Sequence, residues 1–136
     1  MQLSPYLYFN GQCEAAFRFY EECLGGKIVT MSTYAGTPLE REVPPDWRNK
    51  IIHASLMLGD KPLLGCDSPP DRYVKPVGFS VTLGVENLAD AERVFNKLAE
   101  HGKVSMPLQK TYWTKSFGML VDRFGIPWMI NCEQAA

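Results

Sequence analysis

The sequence predicts an α+β fold made of two βαβββ modules within 136 residues. The first reason is an internal repeat. Residues 17–29, FRFYEECLGGKIV, are answered by residues 92–105, ERVFNKLAEHGKVS, so that Gly26, Lys27 and Ile28 map onto Gly102, Lys103 and Val104, 76 positions later. The same offset carries Leu7 onto Leu83, Ala15 onto Ala91 and Phe19 onto Phe95. A period this long in so short a chain marks two copies of one supersecondary unit, not a solenoid. The second reason is the order of patterns in each copy: a short strand-like run, an amphipathic stretch of helical period, then three more strand-like runs.

Residues 6–9 form a short apolar, aromatic strand, and Asn10 and Gly11 behind it can cap a helix start. Cys13, Ala16, Phe17, Tyr20 and Leu24 then fall at helical spacing and give one apolar face. Gly25 and Gly26 end this helix, since glycine accepts the positive φ of a helix C-terminus. Residues 27–34 read as a strand, and 35–48, with Pro38, Pro44 and Pro45, as a loop. Residues 51–58 and 62–66 read as a hairpin turned by Gly59, Asp60 and Lys61. Residues 68–76 follow with Pro69, Pro70 and Pro76, a hinge between module one (1–67) and module two (77–136) of a single domain.

Module two opens with a strand over 78–85. Asn87 with Asp90 resembles a capping box for a helix running to His101, with Leu88, Ala91, Phe95 and Leu98 on its apolar face. His101, in its last turn, suits the negative end of the helix dipole. Strands over 103–112, 117–122 and 126–132 complete the module, the last two joined through Asp122, Arg123, Phe124 and Gly125.

The bulk numbers exclude several classes. With 46% hydrophobic and 21% charged residues the composition is that of an ordinary globular protein. A net charge of −1 and no basic face give no footprint for nucleic acid or an anionic membrane. No apolar run approaches a membrane span and the N-terminus lacks a secretory signal pattern, so the expected compartment is the cytoplasm. Cys13, Cys23, Cys66 and Cys132 include no C-x-x-C pair and are expected to be reduced thiols.

The segments SPYLYFNG, IIHASLMLGD, GCDSPP, GFSVTL and QKTYWTKSFGMLVDRFGIPWMIN resemble the PhnB-like branch of the vicinal oxygen chelate superfamily, which includes glyoxalase I, bleomycin resistance proteins and extradiol dioxygenases. The resemblance implies that the two modules form a cupped mixed sheet that binds a ligand on its concave face and carries its helices on the convex face. It also implies a homodimer, since pairing of modules across chains is common there. Metal-dependent members hold a divalent ion with His, Gln or Glu on the first and last strands of each module. Counted from this chain's turns, those positions fall on Pro5 or Tyr6, Gly65 or Cys66, Phe79, and Met129. A shift of one residue brings in Gly78 or Ser80, and Trp128 or Ile130, still without the three or four hard donors a divalent ion needs. No metal and no cofactor are therefore expected. A methyltransferase label carried by some PhnB-like sequences finds no support, because no Gly-rich strand-to-helix turn is present.

The groups expected near the cup are Tyr6, Tyr8, Cys66, Phe79, Gln109, Trp113, Met129 and Asn131 as ligand contacts, with His53 as the candidate catalytic residue. His53 has a pKa suited to a general base, although a half-buried histidine bonded to a backbone carbonyl is the favoured reading. Cys66 is read as structural, because a neighbouring carboxylate, Asp67, raises a thiol pKa. Asp67 is read as a local turn former. Trp113 is either a stacking residue or a rim cover, and alternation puts Trp128 and Ile130 on the helix side and Asn131 with Met129 in the cup. Arg72, Tyr73 and Lys75, beside the hinge, could close over an anionic ligand. The expected function is small-molecule binding in the cup without metal. The alternatives are a metal-dependent glyoxalase or dioxygenase type of enzyme and a metal-free, isomerase-like enzyme using His53.

Overall fold

β-Branched and aromatic residues at period two, interrupted twice by a stretch of period 3.6, give the elements of the chain, seen in a computed structural model that describes residues 1–133. The first unit, Met1–Val74, contains β1 (Tyr6–Phe9), α1 (Cys13–Leu24), β2 (Lys27–Thr33), β3 (Ile51–Leu58) and β4 (Lys61–Asp67). The second, Lys75–Ala136, contains β5 (Val81–Val85), α2 (Leu88–Ala99), β6 (Lys103–Gln109), β7 (Thr114–Val121) and β8 (Pro127–Glu133). Each unit is a four-stranded mixed sheet, ordered β1-β4-β3-β2 and β5-β8-β7-β6, with its first strand parallel to its last. A parallel neighbour requires a crossover, and in each module the single helix provides it.

Helix α1 buries Cys13, Ala16, Phe17, Tyr20 and Cys23 against its sheet. Cys23 takes the place the spacing gave to Leu24, which stays partly exposed. Phe17 meets Phe9 edge-on at 6.1 Å, and Tyr20 packs beside both. At roughly 1.5–3 kcal/mol for each large apolar side chain removed from water, this cluster outweighs the exposed Arg18–Glu14 pair, a kind of contact worth at most about 0.5 kcal/mol. Helix α2 is capped by Asn87, whose side chain accepts the Asp90 N–H at 2.8 Å. It buries Ala91, Val94, Phe95 and Leu98, and leaves Leu88 exposed. It ends at Ala99, so His101 lies beyond it with φ of 57°.

Strand ends moved where local backbone geometry overrides pattern. Gly78 takes φ of 85°, and the ladder of β5 starts only at Val81, paired with Trp128. Strand β6 stops at Gln109 because residues 110–113 turn, with the Thr111 N–H donating to the Thr114 carbonyl. Strand β7 starts at Thr114, inside a stretch too polar to read as strand. Thr114 is buried and its hydroxyl donates to the Cys132 carbonyl, which removes the cost of hiding it. Pro107 lies in β6, an outer strand whose pairing with β7 is irregular on either side of Met106; outer strand β2 is likewise irregular against β3. The 35–48 loop folds into two 3-10 turns, Pro38–Glu42 and Pro45–Trp47, pinned by buried Trp47 and by an Arg48–Glu40 pair at 2.6 Å. The four cysteines are buried. No helix among the described residues is long and apolar enough to cross a membrane.

The repeated glycines have a steric reason. Gly26 and Gly102 lead into β2 and β6, and a Cβ on Gly26 would lie 2.7 Å from the Met57 carbonyl oxygen. A Cβ on Gly102 would collide with the Val121 carbonyl oxygen in the same way. In both modules backbone rather than a movable side chain stands in the way.

Asp67 is not the local turn former the sequence suggested. Its buried carboxylate reaches across the unit to accept the Cys13 N–H at 2.8 Å and the Ile51 N–H at 2.9 Å. Its own carbonyl accepts the Tyr34 hydroxyl at 2.7 Å. One residue thus joins the end of β4 to the start of α1, the start of β3 and the end of β2. Burial pushes the Asp67 carboxyl above its ordinary value, outweighing the opposing effect of these N–H groups and of Lys50.

Two outcomes follow. Gly102→Ala lowers the unfolding free energy by about 1–3 kcal/mol, read by urea denaturation, while Gly84→Ala, where a Cβ meets nothing within 4 Å and φ is not positive, loses less. A carboxyl whose pKa is raised on folding stabilises the fold fully below its unfolded value of 3.8 and loses that contribution as the pH rises through the folded value. The stability advantage of wild type over Asp67→Asn is therefore largest near pH 3.5 and shrinks toward pH 7; an advantage that grows with pH would contradict the assignment.

Candidate functional site

Strand alternation sorts the first sheet into two faces. Leu7 and Phe9 of β1 are buried on the α1 side, so Tyr6 and Tyr8 turn to the other face, opposite Leu64 and Cys66 of β4 in register. Ala54 of β3 pairs with Gly65 on the α1 side, which sends His53 and Ser55 to the face of Cys66. The Tyr6 hydroxyl lies 3.4 Å from His53 Nδ1, and the Tyr6 and Tyr8 rings are 5.1 Å apart. The structure thus brings together Tyr6, Tyr8, His53 and Cys66. His53 is half-buried and meets a phenol, not a backbone carbonyl.

Two groups of this face, Cys66 and Tyr6, act as neutral donors and acceptors. Burial pushes the Cys66 thiol up, with Asp67 adding to it and a hydrogen bond from Tyr6 opposing it. Burial, reinforced by Cys66, pushes the Tyr6 phenol far up as well. Neither group is an anion near neutral pH, which agrees with a structural rather than a nucleophilic Cys66.

Where β1 and β4 end, the chain closes around a hollow. The Ser68 N–H donates to the Phe9 carbonyl, and the N–H groups of Arg72 and Tyr73 both donate to the Pro69 carbonyl. The result is an open pocket of about 520 Å³ lined by Tyr8, Tyr34, Cys66, Ser68, Pro69, Arg72 and Val74. Tyr34, Ser68, Pro69 and Val74 were not among the expected contacts. Tyr34 ends an apparently ordinary strand, and only its pairing with Asp67 turns it inward. The link itself gave one signal, Arg72 beside two prolines.

The second sheet is sorted in the same way. Trp128 and Ile130 are buried on the α2 side, and the Trp128 indole N–H donates to Asp122 at 2.8 Å. Met129 and Asn131 face away from α2, beside Met119 and Phe117 of β7 and Thr82 and Gly84 of β5. Gln109 is opposite Phe117 at the exposed end of β6. Trp113, 53% exposed, meets Phe117 edge-on at 5.7 Å. Gln109, Trp113, Met129 and Asn131 are thus gathered around Phe117, a residue that register with Asn131 could have revealed. Asn131 Oδ1 is buried with no hydrogen-bond partner among the described residues. Phe79 is the exception, since it precedes β5; the position that repeats Tyr6 is Thr82, on the strand and opposite Met129.

The donors on the first and last strands are therefore Tyr6 and Cys66 in one unit and Thr82 and Met129 in the other. A protonated phenol, a protonated thiol, an alcohol and a thioether do not fit a divalent cation that takes nitrogen, carboxylate or thiolate ligands. Among the described residues no three His, Cys, Asp or Glu side chains form a metal-binding group.

Known proteins place this geometry. A solved structure of protein PA1353 from Pseudomonas aeruginosa superposes with a TM-score of 0.90 at 46% identity, covering 99% of each chain. The PhnB protein from Bacillus cereus superposes with a TM-score of 0.81 at 27% identity, covering 97% of this chain and 99% of that one. Protein YjdN of Escherichia coli is 31% identical over 96% of this chain and 95% of its own length. The profile of the Glyoxalase/Bleomycin resistance protein/Dioxygenase superfamily matches residues 2–130, and with two βαβββ modules under that profile the chain belongs to this superfamily.

Proposed function

We propose that the chain binds a small organic molecule with an apolar or aromatic body on the helix-free face of its first module, and does so without a divalent metal. The observation that carries this reading is the hollow of about 520 Å³ beside Tyr8, Tyr34 and Cys66, a volume usual for small-molecule sites. Its walls are two tyrosine rings, a proline and a valine, with a few polar groups among them. The neutral phenol and thiol on the same face support binding over metal chemistry. A homodimer is part of the proposal, and the exposed pair Tyr112 and Trp113 offers aromatic surface for it.

Native mass spectrometry of untagged protein purified without chelator tests this reading. The expected spectrum is a metal-free dimer, with or without an organic adduct; a stoichiometric divalent ion would overturn the metal-free reading.

The Tyr6–His53 contact favours a second reading, a metal-free enzyme that moves a proton beside a carbonyl. Deuterium exchange into small ketones in heavy water, followed by NMR, separates the two. Binding alone predicts no exchange by wild type or by His53→Ala, whereas exchange by wild type that His53→Ala abolishes establishes the second.

A further inference from the structure

We infer that the molecule held in the first module's hollow is an organic acid, its anionic group taken by Arg72 and its apolar body by the tyrosine rings; this rests on the binding reading above. Four of the six arginines are closed by carboxylates: Arg18 by Glu14, Arg48 by Glu40, Arg93 by Asp90 and Arg123 by Glu100. Arg72 has no ion pair among the described residues, although Asp71 precedes it and Asp67 ends the neighbouring strand. Asp67 is committed elsewhere, to the N–H groups of Cys13 and Ile51. Arg41 also has no ion pair among the described residues, but it sits in the 3-10 turn Pro38–Glu42 and does not border the hollow.

The backbone that carries the cation is fixed before any ligand arrives. Two N–H bonds to the Pro69 carbonyl, at 2.8 Å from Arg72 and 3.0 Å from Tyr73, fix the backbone from which it springs, and Pro69 and Pro70 restrict the same turn. Its charge is felt at the Tyr34 phenol, whose acidity it raises against the larger opposing effect of burial. The rest of the polar lining is neutral: the Tyr8 and Ser68 hydroxyls, the protonated Cys66 thiol, and a Tyr34 hydroxyl already donated to the Asp67 carbonyl. A wall with one unpaired guanidinium and no anion repels cations and leaves a neutral ligand with no charge-assisted bond. A carboxylate gains two parallel N–H···O bonds.

The test is an amide-shift titration of the ¹⁵N-labelled full chain with benzoate and phenylacetate and with the matching neutral probes benzamide and phenylacetamide. The acids are expected to shift the amide signals of Tyr8, Cys66, Ser68 and Arg72 and to bind roughly tenfold or more tightly than the amides. Arg72→Gln is expected to remove that advantage while leaving the rest of the spectrum in place, and Arg72→Lys to restore part of it. Acids and amides binding alike, unaffected by Arg72→Gln, would overturn the anion assignment and leave the pocket standing. Failure of all four probes to move those signals would overturn both the pocket and the assignment.

Discussion

The parallel pairing of the first strand of each module with its last governs the rest of the structure. Leu7 beside Gly65, and Leu83 beside Ile130, fix which side of each sheet receives the helix. Because side chains alternate, the same pairing decides that Tyr6, Tyr8 and Cys66 share one face, and Met129 and Asn131 another. A slip of one residue would send Leu7 and Phe9 to water and the tyrosines under α1. The apolar cluster of Phe9, Phe17 and Tyr20 resists that slip, so the packing that stabilises the first unit also aims the face that carries Tyr6, Tyr8 and Cys66.

Asp67 ties this face to its supports. Backbone N–H groups at the starts of α1 and β3 would be costly to bury without an acceptor, and one carboxylate serves both. With Tyr34 donating to the same residue, the floor of the hollow rests on hydrogen bonds made elsewhere in the unit. Of the polar groups lining the hollow, the Tyr34 hydroxyl is thereby committed to the fold, while Arg72 makes no ion pair among the described residues.

Sequence reasoning reached the modules, the helix faces and most strand positions because each is written as a period, and the repeat of Gly26 in Gly102 supplied the register between halves. It placed Trp128 under the helix and Asn131 away from it for the same reason. It failed where geometry is set by distant partners. The start of β7 was hidden because Thr114 and Ser116 are polar yet buried, and the Thr114 hydroxyl is satisfied by the Ser116 and Cys132 carbonyls, which no local pattern reveals. Phe79 was set on a strand because its neighbours look β-prone, but Gly78 delays the ladder. Asp67 looked like a turn residue because its real partners are 54 and 16 positions away.

The irregular outer strands have a consequence for how this chain can meet another. Strand β6 carries Pro107, which has no N–H to offer, and both β2 and β6 break step with their neighbours, so neither presents an even row of backbone groups at its free margin. A foreign strand laid along either margin would find gaps where it needs partners. Growth of the sheets into ribbons is disfavoured on those sides, where an associating chain must engage side chains rather than extend the ladder.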